Sequence, residues 1–208
     1  MLPQISPSPL TSVKEPIGHP LTSVKEPIGH PNWVYELKHD GFRGGLYVDR
    51  DQAWLVSRNG KKFRQFDPLL KQVLRCLKGQ RVILDGEIVV LDEKGRSNFF
   101  DLMAHRGEPH YYAFDLLWLN GIDLRSRPLL DRKRRLLRLI PANDSHLLYV
   151  EHLDGNGARF FELLYEQDLE GIICKTSTYP FTWIKVKNPN YSQAVGRKEW
   201  FDRILSQR

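Results

Sequence analysis

Charged side chains alternate with apolar ones in three segments that otherwise have the composition of β-strands. Residues 33–38 read WVYELK, residues 81–91 read RVILDGEIVVL, and residues 182–187 read TWIKVK. Because successive side chains of a strand project from opposite faces, each segment has an apolar face and a face that carries charge. The chain is therefore predicted to form sheets that bury one face and gather charges on the other.

The charged faces contain both carboxylates and lysines. Charges that are partly withdrawn from water must be paired or must bind something, and lysines opposite carboxylates suit a phosphate chain with its metal ion. Any one pair taken alone is better explained as an ordinary surface ion pair, but the joint occurrence of the pairs favours a nucleotide site. The residues concerned are Glu36, Lys38, Asp85, Glu87, Lys185 and Lys187.

The rest of the chain predicts an α+β domain. Asp67-Pro68 is typical of a helix N-cap followed by a proline at the first helical position, and apolar residues recur at helical spacing up to Leu77. Asn120-Gly121 predicts a turn. Further strands are predicted at 45–49, 53–58, 111–119 and 171–175, and further helices at 131–140, 158–167 and 198–205.

The charge balance limits the partners. A net charge of +6 and a pI near 9.3 favour polyanions such as nucleic acid or nucleotides. The basic helix at 131–140 could follow a DNA backbone or simply present a solvated face. The two cysteines do not form a zinc motif, and no segment has the length of a membrane span, so we expect no membrane partner and a cytoplasmic location.

The sequence PLTSVKEPIGH occurs twice in tandem, at residues 9–19 and 20–30. Each copy contains proline and glycine and few large apolar residues, so neither can bury a face alone. We therefore expect three regions: an extended arm at 1–30, a folded domain at 31–188, and a tail with a short helix at 189–208.

Six short motifs follow one another along the predicted domain. They are KHDGFR at 38–43, SRNG at 57–60, DGE at 85–87, YAFD at 112–115, EGIICK at 170–175 and WIKVK at 183–187. In this order they resemble the motifs of the covalent nucleotidyltransferases, which include polynucleotide ligases and mRNA capping enzymes. The sequences of the segments DGEIVVLD and FDLLWLNGIDLRSRPLLDRK most resemble the corresponding sequences of bacterial ATP-dependent DNA ligases.

The resemblance implies a nucleotidyltransferase (ATP-grasp-like) core of antiparallel sheets flanked by helices, with a nucleotide cleft between the sheets. It implies an ATP-dependent DNA ligase in which a lysine takes up AMP and passes it to the 5'-phosphate of a nick, during DNA repair or recombination. A non-catalytic nucleotide- or DNA-binding module derived from a ligase, and an RNA ligase or guanylyltransferase, remain alternatives.

The resemblance also implies roles for individual residues. Lys38 would be the nucleophile, with Lys185 and Lys187 holding the α-phosphate and stabilising charge during transfer. Glu87 and Glu170 would be the carboxylates of a Mg²⁺ or Mn²⁺ site. The remaining nucleotide contacts would come from Glu36 (adenine), Arg43 and Arg58 (ribose or phosphate), Glu87 (ribose) and Phe114 (stacking on adenine).

A lysine attacks phosphorus only as a neutral amine, so nearby cations such as Lys185, Lys187 and a metal ion are expected to favour that form.

Full ligases of the family continue into an OB-fold domain, and residues 188–208 are too few to build one. We therefore expect nicked double-stranded DNA as a partner, together with a protein that supplies an OB domain in trans.

Overall fold

The computed structural model describes residues 2–3, 32–143, 146–178, 183–194 and 196–197. Most of the arm predicted at 1–30 and the whole helix predicted at 198–205 lie outside these residues. The described chain forms two compact units, and it passes from one to the other at several places, first among the described strands between His39 and Asp40. One unit is built around Asp40–Glu151, and the other combines residues 32–39 with His152–Thr176 and residues beyond 182.

The described elements are named here in chain order. They are β1 (Trp33–Leu37), β2 (Phe42–Asp49), β3 (Gln52–Ser57), α1 (Asp67–Leu77), β4 (Arg81–Val90), α2 (Phe99–Met103), β5 (Pro109–Leu119), β6 (Ile122–Asp123), α3 (Leu129–Leu139), β7 (Leu147–Tyr149), β8 (His152–Asp154), α4 (Gly157–Glu166), β9 (Gly171–Thr176) and β10 (Trp183–Lys187). A 3₁₀ turn, Arg64–Phe66, precedes α1.

The unit built around Asp40–Glu151 contains a six-stranded sheet. Its strands run in the order β3-β2-β4-β5-β6, all neighbours antiparallel, and β7 adds to β5 in parallel. Strand residues such as Leu84 and Ile88 share one apolar core with Val73 of α1 and Leu136 of α3. The alternation of apolar and charged residues along β4 predicted that Leu84 and Ile88 point away from Asp85 and Glu87 into the core, and both are buried there.

The pairing of β4 with β5 is irregular at two places. Asp85 pairs with Asp115, but Gly86 pairs with Ala113, so Phe114 lies between two consecutive positions of the ladder. A similar shift separates Ile83 from Leu84. Such β-bulges bend a strand and turn the extra residue to a new direction.

The other unit contains a four-stranded antiparallel sheet in the order β10-β9-β1-β8. Ile184 and Val186 of β10 are buried with Ile172 of β9, Tyr35 of β1 and residues of α4 such as Phe161. This confirms the predicted α+β class with antiparallel sheets and the predicted alternation in the last strand.

Two local predictions differ from the structure. Asp67 is the first residue of α1 rather than its N-cap, because the helix is capped by Phe66 after the 3₁₀ turn. The helix predicted at 131–140 begins earlier, at Leu129, and two of its basic residues, Arg132 and Lys133, are buried. These two side chains neither follow DNA nor face solvent, whereas Arg134 and Arg138 of the same helix are exposed.

Within the described residues, none of the helices combines the length and apolar composition needed to cross a bilayer.

Candidate active site

Lys38 follows β1 directly and lies where β9 begins. Its backbone N–H donates to the carbonyl of Gly171 at 3.0 Å, which continues the β1–β9 pairing by one bond. Its side-chain Nζ lies 2.5 Å from Glu170 Oε2. Because β1 and β9 are antiparallel, the end of one strand meets the start of the other, so the topology itself brings Lys38 to Glu170.

Lys187 reaches the same carboxylate from the other side. It is the last residue of β10, which pairs antiparallel with β9, and its Nζ lies 3.3 Å from Glu170 Oε1. Each carboxylate oxygen of Glu170 therefore has one lysine. The Glu170 side chain is 4% exposed while that of Lys187 is 55% exposed, so the carboxylate is buried beneath a cation that solvent reaches.

The backbone fixes Glu170 in this position. The next residue, Gly171, has φ +138°, and a Cβ there would lie 2.1 Å from the carbonyl oxygen of Val186. Only glycine allows β10 to approach so closely. Asn188 also holds this backbone in place. Its N–H donates to the Glu170 carbonyl at 2.9 Å, and its Nδ2 donates to the Leu169 carbonyl at 3.1 Å.

Glu36 forms a second ion pair in the same sheet. Its Oε2 lies 2.5 Å from Lys175 Nζ. The Lys175 ammonium also lies 3.9 Å from the centroid of the Trp183 ring, a cation–π contact. Lys185 is partly exposed on β10, where it lies beside Ile173 of β9. We call Glu36, Lys38, Glu170, Lys175 and Lys187 the lysine–glutamate cluster.

Two residues of the site, Lys175 and Asn188, were not predicted from the sequence. Lys175 ends the EGIICK motif and Asn188 directly follows WIKVK, so motif position was the signal that could have identified both. Each contacts a glutamate of the cluster. Lys175 pairs with the side chain of Glu36, and Asn188 donates a hydrogen bond to the backbone carbonyl of Glu170.

Arg43 and Asp85 form the centre of a group in the six-stranded sheet. Arg43 Nε donates to Asp85 Oδ1 at 3.1 Å, and Nη2 donates to Oδ2 at 2.6 Å. Burial opposes the charged form of Arg43, but the hydrogen bonds and charge of Asp85 outweigh it and raise the pKa of Arg43. Glu87 lies opposite Arg43 in the β2–β4 register and supports its charge.

Phe114 completes this arginine–aspartate group (Arg43, Asp85, Glu87 and Phe114). The guanidinium carbon of Arg43 lies 5.5 Å from the centroid of the partly exposed Phe114 ring. Gly86, between the two carboxylates, is required by packing, because a Cβ there would lie 2.5 Å from the Tyr111 ring. Arg58 is exposed in the turn that follows β3.

The sequence predicts a metal ion at Glu87 and Glu170. In the part of the chain that the structure describes, no group of three or more His, Cys, Asp or Glu residues could hold one alone. Mg²⁺ is commonly bound by one or two carboxylates together with substrate phosphates. Glu87 lies in the unit built around Asp40–Glu151 and Glu170 lies in the other unit, and their joint role as metal ligands stays a prediction.

Antiparallel sheets with a lysine ion-paired at the end of an interior strand are the architecture expected of a nucleotidyltransferase core. Residues 17–188 match the ATP dependent DNA ligase domain, and the chain belongs to this family. It is 33% identical over 172 residues to the multifunctional non-homologous end joining protein LigD of Mycolicibacterium smegmatis, a match that covers 78% of this chain and 22% of the relative. The chain thus spans about a fifth of that relative.

Two other comparisons agree. The SPbeta prophage-derived DNA ligase-like protein LigB of Bacillus subtilis is 30% identical over 204 residues, covering 92% of this chain and 70% of the relative. Among solved structures, mycobacterial DNA ligase D complexed with ATP and MES matches with a TM-score of 0.72 and 29% identity, covering 86% of this chain and 60% of that one. The chain is therefore homologous to DNA ligases along most of its length.

Proposed function

We propose that the chain is an ATP-dependent DNA ligase enzyme that transfers AMP from ATP to Lys38 and then to the 5'-phosphate of a DNA nick. The observation that carries the proposal is the contact between Lys38 Nζ and Glu170 Oε2, where the end of β1 meets the start of β9. An amine in the first motif of this family is held there in a fixed position, and Lys187 adds positive charge beside it.

In the first step, the lone pair of Lys38 Nζ attacks the α-phosphorus of ATP. A phosphorus–nitrogen bond forms, the bond from the α-phosphorus to the bridging oxygen breaks, and pyrophosphate leaves with the bonding electrons. Lys38 forms its ion pair with Glu170 as an ammonium, which has no lone pair, so the pair must open and Nζ must lose one proton to solvent before the attack. A second proton leaves Nζ for solvent as the phosphorus–nitrogen bond forms. Lys185 and Lys187 hold the α-phosphate and stabilise the charge that develops on its oxygens.

The remaining nucleotide contacts are assigned to residues of the matched motifs. Phe114 stacks on adenine, and Glu36 accepts a hydrogen bond from the base. Arg43, Arg58 and Glu87 bind ribose or phosphate. Asp85 supports the position of Arg43, because it accepts hydrogen bonds from Nε and Nη2 and so fixes the plane of the guanidinium.

Glu87 and Glu170 would hold a Mg²⁺ or Mn²⁺ ion together with the phosphates. When bound, the ion neutralises phosphate charge and so favours approach of the nucleophile.

In the later steps AMP passes to the 5'-phosphate of a nick, and the 3'-hydroxyl displaces it to form the phosphodiester bond. We assign residues 31–188 to this adenylation domain, with an arm at 1–30 and a tail at 189–208. A partner that supplies an OB domain in trans would orient pyrophosphate and close on DNA. The name of the Mycobacterium tuberculosis LigD relative, a multifunctional non-homologous end joining DNA repair protein, supports a role in DNA repair, which we place in the cytoplasm.

The test is incubation with α-labelled ATP and magnesium, followed by denaturing electrophoresis or intact mass measurement. We expect wild type to gain one covalent AMP, and Lys38→Ala to gain none. Lys71→Ala is the matched control, because Lys71 is an exposed lysine on α1 and its removal should leave labelling unchanged. Labelling of Lys38→Ala at the wild-type level would refute the assignment of the nucleophile.

Two further experiments identify the nucleotide and the polynucleotide substrate. Labelled GTP in place of ATP should give no adduct, and a GTP adduct would indicate guanylyl transfer. A nicked DNA duplex with a pre-adenylylated 5' end should be sealed without ATP. If neither adduct nor sealing is observed, the chain binds nucleotide or DNA without catalysis.

A further inference from the structure

The basic helix α3 lies against the strand that carries Phe114. Arg132 donates from Nε to Asp115 Oδ1 at 2.7 Å and from Nη2 to Asp115 Oδ2 at 2.8 Å, and both side chains are almost fully buried. Asp115 is the residue directly after Phe114. The same carboxylate oxygen, Oδ1, accepts the backbone N–H of Leu116 at 2.8 Å, so it fixes the strand just beyond the bulge.

Lys133 fixes the other side of the same bulge. Its Nζ lies 3.4 Å from the Phe114 carbonyl and donates to the Val150 carbonyl at 3.0 Å. It also lies 4.6 Å from the centroid of the Tyr149 ring. Tyr149 pairs with Ala113, the residue before Phe114, and Val150 donates its N–H to the Ala113 carbonyl.

Stability alone does not explain two buried cations on one helix. A buried ion pair can often be replaced by apolar side chains of similar volume without loss of stability, because the desolvation cost offsets much of the attraction. What these cations do supply is a fixed geometry: contacts to a carboxylate and to carbonyl oxygens at residues 114, 115 and 150. A bulge has weaker ladder bonding than a regular strand, so it gains most from such external contacts.

We propose that Arg132 and Lys133 are positioning residues for nucleotide binding, which hold the bulge at Phe114 and thereby aim its ring at the base of ATP. This inference rests on the proposed function, in which Phe114 stacks on adenine. Neither residue touches the nucleotide in this account. Both act through Phe114, and their contribution should vanish when the aromatic ring is absent.

The test is a double-mutant cycle read out as the dissociation constant of α,β-methylene-ATP, an analogue that cannot transfer AMP. We expect Lys133→Met to weaken binding roughly threefold to tenfold, the range that a correctly stacked aromatic ring contributes. In a Phe114→Leu background the same change should have no further effect. Arg138→Met, on the exposed side of α3, removes an equal charge and should leave binding unchanged.

Equal losses in both backgrounds, or no loss at all, would overturn the positioning role. Thermal melting of each variant reports whether it folds; if Lys133→Met does not, Arg132→Lys takes its place in the cycle, since it keeps the charge beside Asp115 but loses the two-point contact. The proposed function fails separately if wild type binds no analogue and takes up no label. If Phe114→Leu alone leaves binding unchanged while wild type is still labelled, the stacking and positioning roles are overturned and AMP transfer is not.

Discussion

Glu36 and Lys175 form an ion pair with side chains only 2% and 1% exposed, in neighbouring strands of the four-stranded sheet. A buried pair of this kind contributes little net stability, yet removing one partner is costly because it leaves the other charge without compensation in the core. The pair therefore couples the strand that precedes Lys38 to the strand that follows Glu170.

We expect Lys175→Met to lower the free energy of unfolding by about 3–5 kcal/mol. The double variant Glu36→Leu with Lys175→Met should recover most of this loss, because it removes both charges. Urea denaturation measures both effects. The exposed pair Arg125–Asp123 provides the control: Arg125→Met should cost less than about 1 kcal/mol. A double variant as unstable as the single one would contradict this explanation.

Lys187→Met should separate catalysis from stability. Because Lys187 is more than half exposed, its loss should change the free energy of unfolding by less than about 1 kcal/mol. The rate of single-turnover adenylation should fall about a hundredfold, since a cation that stabilises developing phosphate charge is removed. Lys71→Met is the matched control for a lost surface charge. An unchanged adenylation rate would exclude Lys187 from the reaction.

Gly171→Ala should be severely destabilising, by more than about 3 kcal/mol, because a Cβ at φ +138° meets the Val186 carbonyl and pushes β10 away from β9. Gly95 has φ +74° but open space around it, so Gly95→Ala should cost only about 1–2 kcal/mol of backbone strain. Chemical denaturation of the two variants compares them directly. Similar losses would mean that the close approach at Gly171 is not decisive.

The stability of the chain should depend on His39 in mildly acidic solution. Burial lowers the pKa of His39 to about 4, against the opposing charge of Glu36. The unfolded chain therefore takes up this proton first as the pH falls from 6.5 towards 4, and the free energy of unfolding decreases over that range.

Between pH 7 and pH 5 wild type should lose about 1–2 kcal/mol more than His39→Asn, as measured by urea denaturation at both values. His105→Asn, at an exposed histidine, should behave like wild type. Parallel losses in wild type and His39→Asn would show that His39 does not carry this pH dependence.

Local alternation was sufficient to predict the strands that bear the candidate site. The apolar residues Leu84, Ile88, Ile184 and Val186 are all in the core, because the side-chain period of a strand follows from the backbone alone. The short strands β7 and β8 were not predicted, since three residues carry no periodic signal and their pairing depends on distant partners.

The basic helix shows the limit of pattern analysis most clearly. Its charges predicted either a DNA contact or a solvated face, but Arg132 is buried against Asp115 and Lys133 against backbone carbonyls. These partners belong to elements that are distant from the helix in the sequence. The periodicity of the helix therefore cannot predict them. For the same reason, the motifs identified Lys38 and Glu170 but not the support that Lys175 gives to Glu36.

The order of strands in the four-stranded sheet also has a consequence for protein synthesis. Lys38 directly follows β1, which is made early, whereas Glu170 directly precedes β9 and Lys187 ends β10, both made more than a hundred residues later. Non-local pairings of this kind form slowly and only when both segments exist. A nascent polypeptide on the ribosome therefore carries Lys38 long before the residues grouped around it, and the complete arrangement of Lys38, Glu170 and Lys187 forms only when β10 has emerged.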